Sequence, residues 1–347
     1  MISVLLSLLA AISGIGLACW LVEKRRRKTH AVLPGYQDGI EFPHDEPFEL
    51  YHNALSLCSM KTRLCLVELG ISYKSHPIDL IETGCYENIR PRLLAVNPGG
   101  TVPVLLHNGH PIYESHEQIR YAAKWAAEGA PSLVPEGEAD RAEMEAWIDR
   151  SSLTHDPINH VEESAGNAIP GLTLPLFCTM IEKISYWRIA EGLLFHFDKM
   201  RPMMFVAFKF QGIEKLAKMP PAAKVIARSR RALSVHLDEF EKRLEKAGGP
   251  WILGERFTLA DVSWLVIFER LRQANAESAY LGADKRPRTT AYWQRLKQRP
   301  AYAEAILGHS HPLIEYGRQR IEQVKAASPE LRACLDGRPS ESAVDEA

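Results

Sequence analysis

The residues best placed by type and spacing to do chemistry lie between Leu55 and Leu64, in "LSLCSMKTRL". Ser56 and Cys58 fall between "FELYHN", whose alternation predicts a half-buried strand, and "RLCLVELGI", whose apolar spacing predicts a helix stopping at Gly70. A strand-to-helix turn of this kind aims free N–H groups and the positive end of a helix dipole at both side chains. A thiolate is easiest to stabilise at such a place, which makes Cys58 a candidate nucleophile with the Ser56 hydroxyl beside it. Two unreactive residues would build the same turn, Ser56 as a turn former and Cys58 as a small packed side chain. Lys61 and Arg63 are expected to be salt-bridged or solvent-facing. Cations there are unfavourable unless an anion lies close by.

Three further signals stand at consistent spacing. In "NPGGTVPVL", Pro103 opens a strand, where its missing N–H is tolerated. A cis Val102–Pro103 bond would turn the Val102 backbone outward to pair with an extended peptide ligand. In "YESHEQI", Glu114 and Ser115 end a strand and open a helix. The Ser115 hydroxyl and the first helical N–H groups suit a carboxylate there, and Glu114 suits an ammonium. In "FTLADVSW", Thr258 and Asp261 form a capping box, which serves folding and not catalysis.

Positioning these groups requires an ordered body, and the pattern supplies one. From Phe48 the sequence reads strand, helix, strand, helix (about 86–95), strand, strand, helix, as far as residue 129. "GAPSLVPEG" breaks the chain, and residues 138–327 then read as helix. Within them, 154–221 reads as an irregular insertion interrupted by Pro170, Pro175, Pro202, Pro220 and Pro221. Its apolar residues with Lys199, Arg201 and Lys209 suit a helical core, a cover over a hydrophobic pocket or a bilayer surface. Residues 328–347 read as a disordered tail.

Residues 1–22 carry no charged side chain, and "EKRRRK" follows at once. A helix of that length spans about 33 Å, the thickness of a bilayer core. The cations lie after the apolar run, unlike those of a secretory signal, and hold the C-terminal side in the cytoplasm. A single-pass anchor is expected, followed by a basic juxtamembrane segment and tether over 23–47.

Lysine and arginine total 42 against 43 acids, so nothing global attracts nucleic acid. The six cysteines show no CxxC spacing and read as free thiols, with Cys65 and Cys85 structural. The pairs His155/His160 and His309/His311 lack the spacing and third ligand of a zinc site, so no metal is expected.

Taken together, the "SLCSMKTR" turn, "NPGGTVPVL", "ES" and "TLAD" resemble the glutathione transferase superfamily over about residues 48–307. The resemblance implies a thioredoxin-like α/β domain (48–129) followed by an all-α domain, glutathione as co-substrate, and a homodimer. It assigns glutathione binding to Val102, Pro103, Glu114 and Ser115. "SLCSMKTRL" is similar to the zeta-like branch with its tetrachlorohydroquinone reductive dehalogenases, which implies catalytic roles for Ser56 and Cys58. The implied partner is a small hydrophobic electrophile, quinone-like or halogenated. The alternatives are a maleylacetoacetate-type isomerase and a non-catalytic, membrane-tethered scaffold of the same fold.

Overall fold

The computed structural model describes residues 2–154 and 156–337. His155 and the end of the expected tail, 338–347, lie outside them. The chain opens with α1 (Ile2–Arg26), whose last turn carries Lys24, Arg25 and Arg26. It is long and apolar enough to cross a membrane, and none of its apolar stretch is buried in the body.

Five strands follow: β1 (Gly35–Tyr36), β2 (Phe48–His52), β3 (Lys74–Pro77), β4 (Val104–His107) and β5 (His110–Tyr113). They form a single mixed sheet in the order β1-β5-β4-β2-β3. The crossover helix α2 (Leu57–Glu68) makes β2 and β3 parallel, and every other pairing is antiparallel. Leu50, Leu105 and Ile112 fill the sheet's inner face against Leu64, Leu66 and Ile119. The short helices α3 (Pro91–Val96) and α4 (Ser115–Ala122) complete this thioredoxin-like half.

The helical half comprises α5 (Glu138–Arg150), α6 (Ala165–Ile181), α7 (Tyr186–Phe195), α8 (Met200–Gln211), α9 (Pro220–Ala247) and α10 (Leu259–Gln273). It closes with α11 (Glu277–Tyr280), α12 (Pro287–Lys297), α13 (Pro300–Ala305), α14 (Pro312–Ala327) and α15 (Pro329–Asp336). The expected box at α10 is formed: Asp261 accepts from the Thr258 N–H at 2.8 Å. Asp261 also accepts from the Ile252 N–H and the Tyr292 hydroxyl, both at 3.0 Å, while burial pushes its carboxyl up to about 6.

Four expectations need correction. Residues 154–221 are mostly helical, because their prolines open helices more often than they interrupt them. Pro202 lies in the first turn of α8 and Pro220 starts α9, where a missing N–H costs nothing. Pro170 and Pro175 lie inside α6, which packing holds almost wholly buried. The tail is helical as far as α15: Ser328 caps it, and Leu331 and Leu335, one turn apart, are buried. The tether is docked on the body, with β1 pairing to β5 and Tyr36 stacking on Tyr121 at 5.2 Å. The helix expected at 86–95 is instead a 3-10 turn, Glu87–Ile89, followed by α3 with Pro91 at its first position.

Candidate active site

Asn53 shapes the β2–α2 turn by accepting from the Leu55 and Ser56 N–H groups at 2.8 and 3.1 Å. Its own amide donates to the Ile78 carbonyl and the Thr83 hydroxyl, tying the turn to the strand beside it. The buried Arg270 donates to the Leu55 carbonyl. Ser56 is thereby fixed as the N-cap of α2, accepting from the Ser59 N–H at 3.2 Å and donating to the Val102 carbonyl at 3.4 Å. Cys58 is the second residue of α2 and half-buried. Burial pushes the thiols of Cys65, Cys85, Cys178 and Cys334 up, which makes them poor nucleophiles.

Gln118 of α4 links three segments through its buried amide. It donates to the Pro103 and Ile112 carbonyls at 3.0 and 2.8 Å and accepts from the Thr62 hydroxyl at 2.8 Å. The Val102–Pro103 bond is cis. Glu114 takes φ 67°, a conformation rarely used outside glycine, and no side chain caps α4 after it. Strain of order 1–3 kcal/mol at such a residue persists only where its surroundings impose it. Ser56, Cys58, Val102, Pro103, Glu114 and Ser115 all line one cleft of about 370 Å³.

The opposite wall comes from the helical half. His196, Phe197, Asp198 and Arg201, at the junction of α7 and α8, line the same cleft with Glu82 and Tyr86. Arg201 pairs with the fully buried Glu82. Gly192 of α7 lets this junction close on the thioredoxin-like half, since a Cβ there would lie 2.3 Å from the Tyr86 hydroxyl. Sequence reasoning named Arg201 but missed Glu82 and Tyr86. The available signal was a pair of acids, Asp79 and Glu82, set among the apolar residues Ile78, Leu80 and Ile81.

Lys61 and Arg63 are neither salt-bridged nor solvent-facing. Arg63 is buried and donates to the Ala305 and Asn53 carbonyls at 2.8 and 3.0 Å, holding the two halves together. Lys61, one turn after Cys58, is 4% exposed, and its ammonium donates to His116 Nε2 at 2.5 Å. His116 in turn faces the Ser152 hydroxyl at 3.4 Å. Burial pulls Lys61 down to about 8, against the opposing pull of Cys58 and Glu114. Burial and the neighbouring Lys61 hold His116 neutral, far below its ordinary value. A buried cation thus lies within electrostatic reach of Cys58 and Glu114, two of the acidic groups that line the cleft. Its i+3 spacing from Cys58 was the signal in the sequence; His116, 55 residues away, gave none.

Residues 55–125 match the N-terminal domain, and 214–305 the C-terminal domain, of glutathione S-transferases. Among curated proteins, the chain is 26% identical to glutathione S-transferase F9 of Arabidopsis thaliana, over 71% of this chain and 91% of that protein. It is 27% identical to the tetrachloro-p-hydroquinone reductive dehalogenase of Sphingobium chlorophenolicum, over 74% of this chain and 94% of the dehalogenase. Among solved structures, a beta-etherase from Sphingobium sp. strain SYK-6 superposes with a TM-score of 0.60 at 21% identity, covering 76% of this chain and all of that one. With the mixed sheet, the helical second half and both matched domains in place, the chain belongs to the glutathione S-transferase superfamily.

Proposed function

We propose that this protein is a membrane-anchored glutathione transferase whose body faces the cytoplasm, and that it uses Ser56 and Cys58 on the glutathione sulfur. The observation that carries this reading is the convergence of both residues with Val102, Pro103, Glu114 and Ser115 on one cleft. Those six fit glutathione by chemistry. Ser115 and the first N–H groups of α4 would hold its γ-glutamyl carboxylate, Glu114 its ammonium, and the Val102 backbone its cysteinyl unit. As a donor, the Ser56 hydroxyl makes only a long bond to the Val102 carbonyl, which a sulfur anion can replace. Lowering a thiol pKa by about two units takes about 2.7 kcal/mol of selective anion stabilisation. A hydroxyl bond and a helix N-terminus are of the right size to supply it.

The similarity to a reductive dehalogenase favours a second step at Cys58. The glutathione thiolate displaces halide from the substrate ring, forming a carbon–sulfur bond. The Cys58 thiolate then attacks that sulfur, and the carbon–sulfur electron pair leaves with the ring, which takes a proton. A second glutathione thiolate attacks the mixed disulfide, releasing oxidised glutathione and Cys58. Two glutathiones thus supply the two electrons that reduce the ring. The isomerase reading is less favoured, because Arg201, the cation lining the cleft, is neutralised by Glu82.

The test is calorimetric titration of glutathione into the full chain in detergent micelles, followed by mass spectrometry during turnover of a chlorinated hydroquinone. Binding together with a glutathione adduct on Cys58 is the expected result. A folded protein that binds no glutathione would leave a scaffold that retains only the fold.

A further inference from the structure

Outside α1, eight large apolar side chains are exposed between Tyr186 and Phe210, as many as in the rest of the described body. They lie on one side of their helices. In α7, Tyr186, Trp187, Leu193 and Leu194 face outward, while Ile189 and Gly192 are buried. In α8, Met200, Met203 and Phe210 face outward, while Phe205 and Phe208 are buried. Trp187 is 87% exposed. The Tyr186 and Phe210 rings, 5.8 Å apart, join the two outward faces, and the Lys209 ammonium sits over Tyr186. Between Tyr186 and Phe210, Arg188, Lys199, Arg201 and Lys209 outnumber Glu191 and Asp198, with Arg201 paired to Glu82. A patch of this size and composition on a soluble surface calls for a partner.

The end of α1 identifies that partner. Arg27, just past α1, pairs with Glu191 of α7 at 2.6 Å and lies over the Phe195 ring at 4.6 Å. Lys24 and Lys199 repel one another across the same joint. The patch therefore sits where α1 leaves the bilayer, its cations add to those of the last turn of α1, and exposed Trp and Tyr are the residues that settle at a headgroup boundary. We infer that the outward face of α7 and α8 is a docking surface for the anionic bilayer leaflet that α1 enters, an inference that rests on reading α1 as the anchor. Phe197, between the two helices, both lines the cleft and is exposed, so docking turns the cleft mouth toward lipid.

The full chain, reconstituted in phosphatidylcholine–phosphatidylglycerol vesicles with acyl chains brominated near the headgroup, tests this. Emission of single tryptophans is read as the difference between wild type and Trp187→Phe, and between wild type and Trp20→Phe. Trp187 should be quenched to within about twofold of Trp20, because both would lie at the interface. Quenching of Trp20 with Trp187 unchanged overturns the docking surface and leaves the anchor standing. Trp187 emission that is blue-shifted but unquenched, as a covering protein would make it, also overturns docking. If neither residue is quenched, the anchor reading fails and the docking surface falls with it.

Discussion

The wall of the cleft bearing Ser56, Cys58, Pro103 and Ser115 is assembled from turns, shaped by hydrogen bonds within a few residues and to α4, with one distant tie from Arg270 to the Leu55 carbonyl. The facing wall is carried by two helices and closes through a contact between residues 119 apart in sequence, Arg201 with Glu82. The first wall offers backbone groups, hydroxyls and a thiol. The second offers Phe197 and a neutralised ion pair. A fixed, polar co-substrate needs the first kind of surface, because donors must be held in place. A variable apolar substrate needs only shape, which distant helices can supply and exchange.

The largest expected effect removes the chemistry of the first wall and spares its binding. Cys58→Ser should abolish the glutathione adduct seen by mass spectrometry during turnover, while titrated glutathione affinity stays within about twofold, since the thiol contributes no anchoring hydrogen bond. An adduct persisting at another cysteine would move the second step away from this turn.

The second wall should break by stability. Arg201→Met leaves the fully buried Glu82 without its cation. Because Arg201 is itself about one-third exposed, the loss should be about 2 kcal/mol, below the range for wholly buried pairs. Denaturant unfolding in micelles measures it, and adding Glu82→Gln should recover most of the loss. Equal stability of wild type and Arg201→Met would make the pair incidental and weaken the contrast between the walls.

Binding falls next. Ser115→Ala should raise the glutathione Kd about tenfold, the ~1.4 kcal/mol of one hydrogen bond to a charged group, as read by calorimetry. Unfolding midpoints should not change, because the fold does not depend on Ser115 as a cap.

What the sequence revealed follows the same division. The Ser56 turn, the Pro103 strand start, the Glu114–Ser115 junction and the Thr258–Asp261 box each carry a signature within about four residues, so short-range chemistry exposes them even though distant side chains such as Arg270 and Tyr292 also hold them. The prolines of 154–221 misled because a proline at a helix start and one within a helix look alike until burial is known. The two-residue β1 has no periodicity to read, and its pairing with β5 is decided by the sheet edge it meets. Lys61 was misread for a related reason. A cation near a helix start is assigned to solvent by local rules, yet α4 and the Ser152 region cover it from far along the chain.

That buried lysine also yields the smallest and most discriminating effect, because it tests whether the first wall is as local as its turns imply. Lys61→Met should slow alkylation of Cys58 about fivefold at pH 7, the ~1 kcal/mol expected of one nearby charge in a half-buried site. Folding lowers the lysine from its ordinary 10.5 to about 8, so its charge, and with it the support for a thiolate, is present below about 8 and lost above. The ratio of wild-type to variant alkylation should therefore be largest near pH 7 and shrink toward one above pH 8. Stability should move with it. The unfolded chain binds more protons at this residue between about 8 and 10.5, so wild type gains stability relative to Lys61→Met as pH rises through that window. A rate ratio independent of pH would mean that Lys61 acts on Cys58 only through packing, and that the reactive wall is set by its turn alone.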